Sequence, residues 1–326
     1  MADPAAPTGF LLHPASPLHD TGWGHPEHQG RLRALASTVG RDLLALHGHV
    51  EQVHPRDATA DELRLVHTPE HVESVRHAAE RAEATGSLQR LDADTIVSAA
   101  SWDAAVGSVG AVLEAAERVA DGRLRNAFVA ARPPGHHATP ERAMGFCLFN
   151  NVAVGARWVQ RSGRAERVLI VDVDVHHGNG TQDAFYRDGT VFYLSLHQWP
   201  HYPGTGAADE TGEGPGRGWT LNVPLPAATP AAVYLERFEA AFETAWERAR
   251  PDFVFLSAGF DVLAGDPLGG QLLEPGDLYR VTRYVVEAAA QAGAGLVAVL
   301  EGGYAPKRTG LGAVAVIRAL AGIEAP

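Results

Sequence analysis

Five short apolar runs, each bounded by turn residues, constrain the fold of this chain more than any other feature. Runs of this length predict strands rather than helices, and they cover residues 127–131, 168–173, 191–196, 253–257 and 296–300. Helical patterns lie before and between them, at residues 26–47, 69–84, 98–121, 149–162, 231–249 and 275–292. Buried strands joined by helices are typical of parallel sheets. We predict an α/β fold of three layers, α/β/α, around a mainly parallel central sheet.

Length and composition narrow the organisation further. The chain has 326 residues, 45% of them hydrophobic, with no linker-like stretch or fixed-period repeat, so we expect a single domain over residues 1–326. No apolar stretch reaches the roughly 18 residues of a membrane span. Residues 1–8 lack the basic start and apolar middle of a secretion signal, which predicts a cytosolic location.

Charge and cysteine content exclude other classes of protein. The formal charge of −12 argues against a nucleic-acid partner. Cys147 is the single cysteine, so intramolecular disulfides and cysteine-based zinc fingers are excluded. A metal in this chain must therefore be held by His, Asp and Glu.

Residues 172–178, Asp-Val-Asp-Val-His-His-Gly, directly follow one predicted strand. Because strand side chains alternate, Asp172, Asp174 and His176 are expected on one face. Burying ionised groups without partners costs several kcal/mol each, so this face requires a cation. A solvated acidic loop would fit only if the strand ended before Asp172.

Polar groups follow every predicted strand, and parallel strands bring their carboxyl ends together at the crevice where open α/β sheets bind ligands. Such convergence predicts an active site rather than isolated structural polar residues. The segments concerned are 132–137, 172–178, His197, 259–261 and 301–304.

A set of distinct motifs is spread along nearly the whole chain. In chain order they are His19-Asp20-Thr21-Gly22, Gly24-His25-Pro26-Glu27, Arg132-Pro133-Pro134-Gly135-His136-His137, Gly145-Phe146-Cys147, Asn150-Asn151, residues 172–180, Tyr202-Pro203-Gly204-Thr205-Gly206, Gly259-Phe260-Asp261, Gly265-Asp266-Pro267 and Glu301-Gly302-Gly303-Tyr304. This set resembles the histone deacetylase and acetylpolyamine amidohydrolase family, which has the arginase-deacetylase fold. The similarity is closest to its class II-like bacterial members.

The resemblance implies two cation sites. Asp174, His176 and Asp261 would bind one catalytic zinc ion, and three protein ligands leave a coordination position for water and substrate. Asp172 and Ser195, with backbone carbonyls near Asp174, His176 and Leu196, would hold a potassium ion.

The resemblance also implies roles for the two adjacent histidines. His137 would act as general base and later protonate the leaving amine, while His136, oriented by Asp172, would stay cationic. Class I members carry an aspartate where this chain has Asn179. An uncharged partner should leave His137 neutral, as a base must be.

Tyr304 would stabilise the oxyanion, and further residues would bind the substrate. Phe146 and Tyr202 would line the acyl-lysine tunnel. The carbonyl of Gly145 would accept a hydrogen bond from the substrate amide. Asp94 would hold the substrate at the rim of the tunnel. Arg31 would line an internal path for acetate release.

Three functions compete: a zinc-dependent deacylase of N-acyl amines, an arginase-like ureohydrolase with two manganese ions, and a non-catalytic acyl-lysine binder. The second needs carboxylates at positions that here hold Gly178 and Leu263. The third should have lost a catalytic residue, and none is missing. Among deacylase substrates, uncharged Leu268 favours acyl-lysine in peptides or proteins over acetylated polyamines, whose selective relatives carry an acidic gatekeeper near this position.

Overall fold

Strands and helices are distributed along residues 6–326, the part of the chain that the computed structural model describes. Of the predicted polar segment 1–8, the first five residues lie outside this part. The strands are Thr8–Leu11 (β1), Val50–Val53 (β2), Gln89–Arg90 (β3), Ile96–Val97 (β4), Asn126–Val129 (β5), Val168–Asp172 (β6), Val191–Gln198 (β7), Thr220–Leu225 (β8), Phe253–Ala258 (β9) and Gly295–Leu300 (β10).

Helices surround these strands. They are Gly30–Arg41 (α1), Leu43–Leu46 (α2), Ala60–Leu63 (α3), Pro69–Thr85 (α4), Ser101–Ala120 (α5), Asn151–Arg161 (α6), Asn179–Phe185 (α7), Ala231–Ala249 (α8), Pro275–Ala292 (α9) and Pro306–Ala321 (α10). None of the helices in residues 6–326 combines the length and the apolar character that a membrane crossing requires.

Eight strands form one sheet in the order β2-β1-β5-β10-β9-β6-β7-β8, and every neighbouring pair is parallel. Strands β3 and β4 form a separate antiparallel hairpin. The parallel sheet predicted from the five apolar runs is therefore confirmed.

Both faces of the sheet are buried. Along β6, Leu169 and Val171 pack into a core with α1, α8, α9 and α10, whereas Val168 and Ile170 pack on the other side with α5 and α6. A strand covered on both faces must be apolar at every position, which explains the unbroken apolar runs. The predicted three-layer architecture is confirmed.

Several elements were not predicted, and most of them lie at the sheet edges or contain glycine. Strand β2 is an edge strand whose central residues, Glu51 and Gln52, are exposed, and β8 is the opposite edge and includes Pro224. Helix α10 contains Gly310 and Gly312, which weaken helix propensity. A Cβ at Gly310 would lie 2.4 Å from Thr38 Oγ1 of α1, so close helix packing requires this glycine.

The helix predicted over residues 26–47 is wrong at its start and is interrupted at Asp42, whereas its end agrees with Leu46 within one residue. Residues 26–29 form a loop in which Glu27 O accepts a hydrogen bond from Thr21 Oγ1 at 2.6 Å, and α1 begins only at Gly30. Asp42 ends α1 and separates it from α2. The hydrogen bond from Thr21 to the backbone of Glu27 thus takes the place of the first turn of the predicted helix.

Candidate active site

The carboxyl ends of β5, β10, β9, β6 and β7, neighbours in the sheet, carry the polar segments that were identified in the sequence. Strand β6 ends at Asp172, so the strand alternation expected through His176 stops there. The chain bends after Asp172, yet Asp172, Asp174 and His176 are all buried. Asp172 turns to the histidine pair, and the other two face Asp261.

Asp174, His176 and Asp261 come together in a group whose potential ligand atoms all lie within 4.8 Å of one another. His176 Nδ1 is 3.0 Å from Asp174 Oδ1 and 3.3 Å from Asp261 Oδ2. Asp261 Oδ2 is buried and has no hydrogen-bond partner among the described residues. Within residues 6–326 this is the one such group of three or more His, Cys, Asp or Glu side chains.

The electrostatics of this group require a positive charge. Burial, and then repulsion from Asp174, raise the pKa of Asp261 to about 7. Burial alone would lower the pKa of His176, but the hydrogen bond to Asp174 and the nearby charge of Asp261 outweigh it and raise this pKa to about 10. The two carboxylates that stabilise a proton on His176 also suit a divalent cation, and the orphan oxygen of Asp261 offers it a ligand.

Backbone groups fix both carboxylates. Val175 N donates to Asp261 Oδ1 at 2.9 Å, and Gly302 N donates to Asp174 Oδ2 at 2.8 Å. A Cβ at Gly302 would lie 2.0 Å from Asp261 Oδ2. Only glycine therefore allows the turn after β10 to approach the Asp174–His176–Asp261 group this closely.

His136 and His137 lie beside this group and have different partners. His136 Nδ1 donates to Asp172 Oδ2 at 3.1 Å. Burial alone would lower the pKa of His136, but the charges of Asp174 and then Asp172 raise it to about 10. Both charges favour the cationic form of His136, in line with the role that the resemblance implies.

Asn179 Oδ1, 2.9 Å from His137 Nδ1, accepts its hydrogen bond. The amide nitrogen of Asn179 faces His137 O and Met144 Sδ, which fixes the orientation of the amide. Because the amide oxygen can only accept, the proton of His137 sits on Nδ1 and Nε2 keeps its lone pair. Burial, and then the charge of His136, hold the pKa of His137 well below its usual value, so this imidazole is neutral.

Glu301 and Tyr193 contact His136 and its partner Asp172. Glu301 was predicted only as part of segment 301–304, with no role of its own, and Tyr193 was not predicted. The Glu301 carboxylate accepts from Gly135 N at 2.7 Å and His136 N at 3.1 Å. Tyr193 OH donates to Asp172 Oδ2 at 3.0 Å. A buried acid directly after an apolar strand was the available signal for Glu301. Tyr193 lies within a strand, where a core position was the simpler interpretation.

A pocket of about 400 Å³ leads from the surface to the Asp174–His176–Asp261 group. Phe146 and Tyr202 form part of its wall, as predicted for the tunnel, and Tyr202 packs edge-on against His137 with 5.1 Å between ring centroids. Tyr304 is 7% exposed and packs edge-on against Phe146. The lining residues are Asp94, His137, Gly145, Phe146, His176, His201, Tyr202, Pro267, Leu268, Gly269 and Tyr304.

The pocket lining contains the predicted Leu268 and Asp94 together with His201, and His25 contacts two of the lining residues; neither histidine had a predicted role. His201 stacks on His176 with 5.0 Å between ring centroids, and its Nε2 donates to Leu268 O at 2.9 Å. His25 packs edge-on against Phe146, and its Nε2 donates to Asp94 O at 2.9 Å. His25 occurs in a quoted motif, whereas His201 had no signal except its place next to Tyr202.

The residues expected at a potassium site lie on the neighbouring strands β6 and β7. Asp172 and Ser195 are register partners, and Leu196 follows Ser195. The Ser195 hydroxyl is 2.9 Å from His197 Nδ1, while Asp172 already has two side-chain partners. The potassium site remains a prediction.

Comparisons with known proteins agree on one family. The model of the histone deacetylase domain matches residues 25–320. The chain is 40% identical over 304 residues to histone deacetylase 15 of Arabidopsis thaliana, covering 91% of this chain and 53% of that protein. It is 34% identical over 322 residues to a probable deacetylase of Archaeoglobus fulgidus, covering 97% and 87% of the two chains.

A solved structure agrees with these sequence matches. The crystal structure of the HDA15 HD domain superposes with a TM-score of 0.91 at 36% identity, covering 98% of this chain and 89% of that chain. The chain thus spans about half the length of the Arabidopsis relative. The resemblance inferred from the motifs is confirmed: this chain belongs to the histone deacetylase family.

Proposed function

We propose that residues 1–326 form one catalytic domain of a zinc-dependent deacylase, which hydrolyses the amide of acyl-lysine in peptides or proteins. The observation that carries this proposal is the buried Asp174–His176–Asp261 group at the end of an apolar-walled pocket, with His137 and Tyr304 lining the same pocket. A cytosolic location and a potassium ion at Asp172, Ser195 and Leu196 stay predictions.

A zinc ion held by Asp174, His176 and Asp261 would polarise the acyl carbonyl and activate the attacking water. One metal fits this chain better than two. At Gly178, where the two-manganese alternative needs a carboxylate, even a Cβ would lie 2.3 Å from Asp172 Oδ2. Leu263, at the other required position, is fully buried among apolar side chains.

The two histidines have different roles. His137 Nε2 keeps a lone pair, so it accepts the proton of the attacking water and returns it to the leaving amine. Cationic His136, hydrogen-bonded to Asp172, contributes positive charge next to the forming oxyanion. The neutral partner Asn179 keeps His137 in the basic form at neutral pH.

Tyr304 donates a hydrogen bond to the developing oxyanion. Its hydroxyl stays protonated because burial raises the pKa of Tyr304 well above its usual value, and only a protonated phenol can donate. Preorganised donors of this kind stabilise the charge that forms in the transition state.

The pocket walls select the substrate. Phe146 and Tyr202 provide aromatic surface for an aliphatic lysine stem, and the carbonyl of Gly145 accepts from the substrate amide. Asp94 contacts the substrate backbone at the rim. Leu268 offers no charge to a second ammonium group, which favours acyl-lysine over acetylated polyamines.

Metal content tests the metal assignment directly. We expect about one zinc ion per purified chain, and loss of both zinc and hydrolysis in Asp174→Asn or Asp261→Asn. Asp61→Asn, at an exposed carboxylate, is the matched control and should retain both. Elemental analysis that finds two manganese ions per active chain would favour the ureohydrolase instead.

A substrate panel tests the reaction and its specificity. The protein should hydrolyse acetyl-lysine peptides with a higher kcat/KM than acetylated polyamines. Leu268→Glu should raise the polyamine-to-peptide ratio of kcat/KM roughly tenfold, the effect of about 1.4 kcal/mol from a new ion pair, and Leu272→Glu on the same loop should not. A parent enzyme that prefers polyamines contradicts the proposed substrate, and a zinc-loaded protein that binds the peptide without hydrolysis supports the non-catalytic alternative.

Tyr304→Phe removes one hydroxyl with little change in shape. Turnover should fall by about 10²- to 10³-fold, as when one oxyanion donor is deleted elsewhere, while zinc content and thermal unfolding stay unchanged. Tyr284→Phe, on the surface of α9, provides the control. Turnover within a factor of two of the parent would mean that Tyr304 is not the oxyanion donor.

Asn179→Asp places a negative charge beside His137. This charge stabilises the imidazolium and raises the pKa of His137, so the acidic limb of the pH profile of kcat/KM should move to higher pH by about one unit. Gln291→Glu makes the same chemical change on the exposed surface of α9 and should leave the profile in place. If the acidic limb of the pH profile does not move in a folded, zinc-loaded Asn179→Asp variant, Asn179 does not influence the pKa of His137.

A further inference from the structure

A group of three buried charges lies behind the Glu301–Tyr304 turn and takes no part in the proposed chemistry. Glu27, Arg31 and Arg132 are each 0% exposed. Glu27 Oε1 accepts hydrogen bonds from Arg31 Nη1 at 2.8 Å and from Arg132 Nε at 2.7 Å. Buried ion pairs often contribute little net stability, because desolvation offsets their attraction. Their placement in the fold therefore calls for a separate explanation.

Arg31 connects this group to the turn. Its Nε donates to Gly303 O at 2.6 Å and its Nη2 to Glu301 O at 2.5 Å. Its guanidinium carbon lies 4.9 Å from the centroid of the Tyr304 ring. Each guanidinium nitrogen of Arg31 thus donates to the protein itself, so Arg31 holds the backbone that carries Tyr304. Its place along a path for acetate release stays a prediction.

Glu27 is itself fixed in place. Arg132 Nη2 donates to Glu27 O at 3.1 Å, and Arg132 Nη1 donates to His19 O at 2.6 Å. Both arginines share one oxygen of Glu27, so their positive charges lie close together. Without the negative charge of Glu27 the two guanidinium groups would repel each other, and Arg31 is the one that would disturb the turn.

The opposite side of the turn is held independently. Tyr304 N donates to Asp266 Oδ2 at 2.6 Å, and Ala305 N donates to the same oxygen at 3.0 Å. Asp266 therefore fixes the N–H groups of Tyr304 and Ala305, whereas Arg31 fixes the carbonyls of Glu301 and Gly303. Losing the Arg31 contacts would leave Thr309 Oγ1, at 2.9 Å, as the remaining side-chain donor to Gly303 O, at a residue whose backbone has a φ of 117° and which directly precedes the tyrosine.

We propose that Glu27 is a positioning residue for Tyr304: it aligns Arg31, and Arg31 holds the carbonyls of Glu301 and Gly303 so that the phenol stays directed into the pocket. This inference rests on the proposed oxyanion role of Tyr304. Because small displacements of a hydrogen-bond donor reduce catalysis without preventing binding, the effect belongs to kcat rather than to KM.

A double-mutant cycle tests the proposal. Glu27→Gln keeps the side-chain shape and removes the charge. Arg31→Lys keeps the charge, but one ammonium cannot reach Glu27 and both carbonyls. Each change is made in the parent and in Tyr304→Phe, with Arg41→Lys on the exposed side of α1 as the control. Turnover, KM, zinc content and thermal unfolding are measured for every variant.

We expect either substitution to lower kcat roughly tenfold in the parent and less than twofold in Tyr304→Phe, with KM and zinc content unchanged, because coupled residues lose their effects together. An equal loss in both backgrounds, or loss of zinc, would place the effect on the whole site and overturn the proposal. So would failure of both single variants to fold, since that assigns the cluster to general stability. If Tyr304→Phe alone keeps parental turnover, the oxyanion role itself is wrong.

Discussion

Mutual repulsion between two buried carboxylates, Asp174 and Asp261, is the constraint on which the rest of this site depends. Both are fully buried, and an oxygen of Asp261 has no hydrogen-bond partner among the described residues. Such an arrangement is unfavourable unless a cation completes it. Backbone N–H groups of Val175 and Gly302 donate to these carboxylates and stabilise their negative charge.

The fold class and most of the site followed from the sequence, because both depend on local patterns. Runs such as residues 168–172 are buried on both faces and therefore remain apolar at every position. Asp174, His176 and Asp261 were assigned through the motifs that carry the resemblance to the family, and the structure places them together. The hydrogen-bond acceptor of His137 was likewise inferred at Asn179 and lies at 2.9 Å.

The remainder depends on contacts between distant segments, which no local pattern encodes. Strand β2 is half exposed and lacks a continuous apolar run, so its position at the sheet edge is set by β1 alone. His201 lines the pocket because the loop after β7 meets the loop that carries Leu268, 67 positions further along the chain. Glu27 was quoted only as part of a motif, since its partner Arg132 is 105 positions away.

The turn after β10 shows how these distant charges act on one short segment. Its N–H at Gly302 points to the carboxylate of Asp174, whereas its carbonyls at Glu301 and Gly303 point to the guanidinium of Arg31. The peptide dipoles of the turn thus lie between an anionic group and a cationic one, each favouring the same orientation. Because a Cβ at position 302 would collide with both metal-site carboxylates, the backbone itself must face them. The same charges that create the need for a cation therefore also orient the backbone that presents Tyr304.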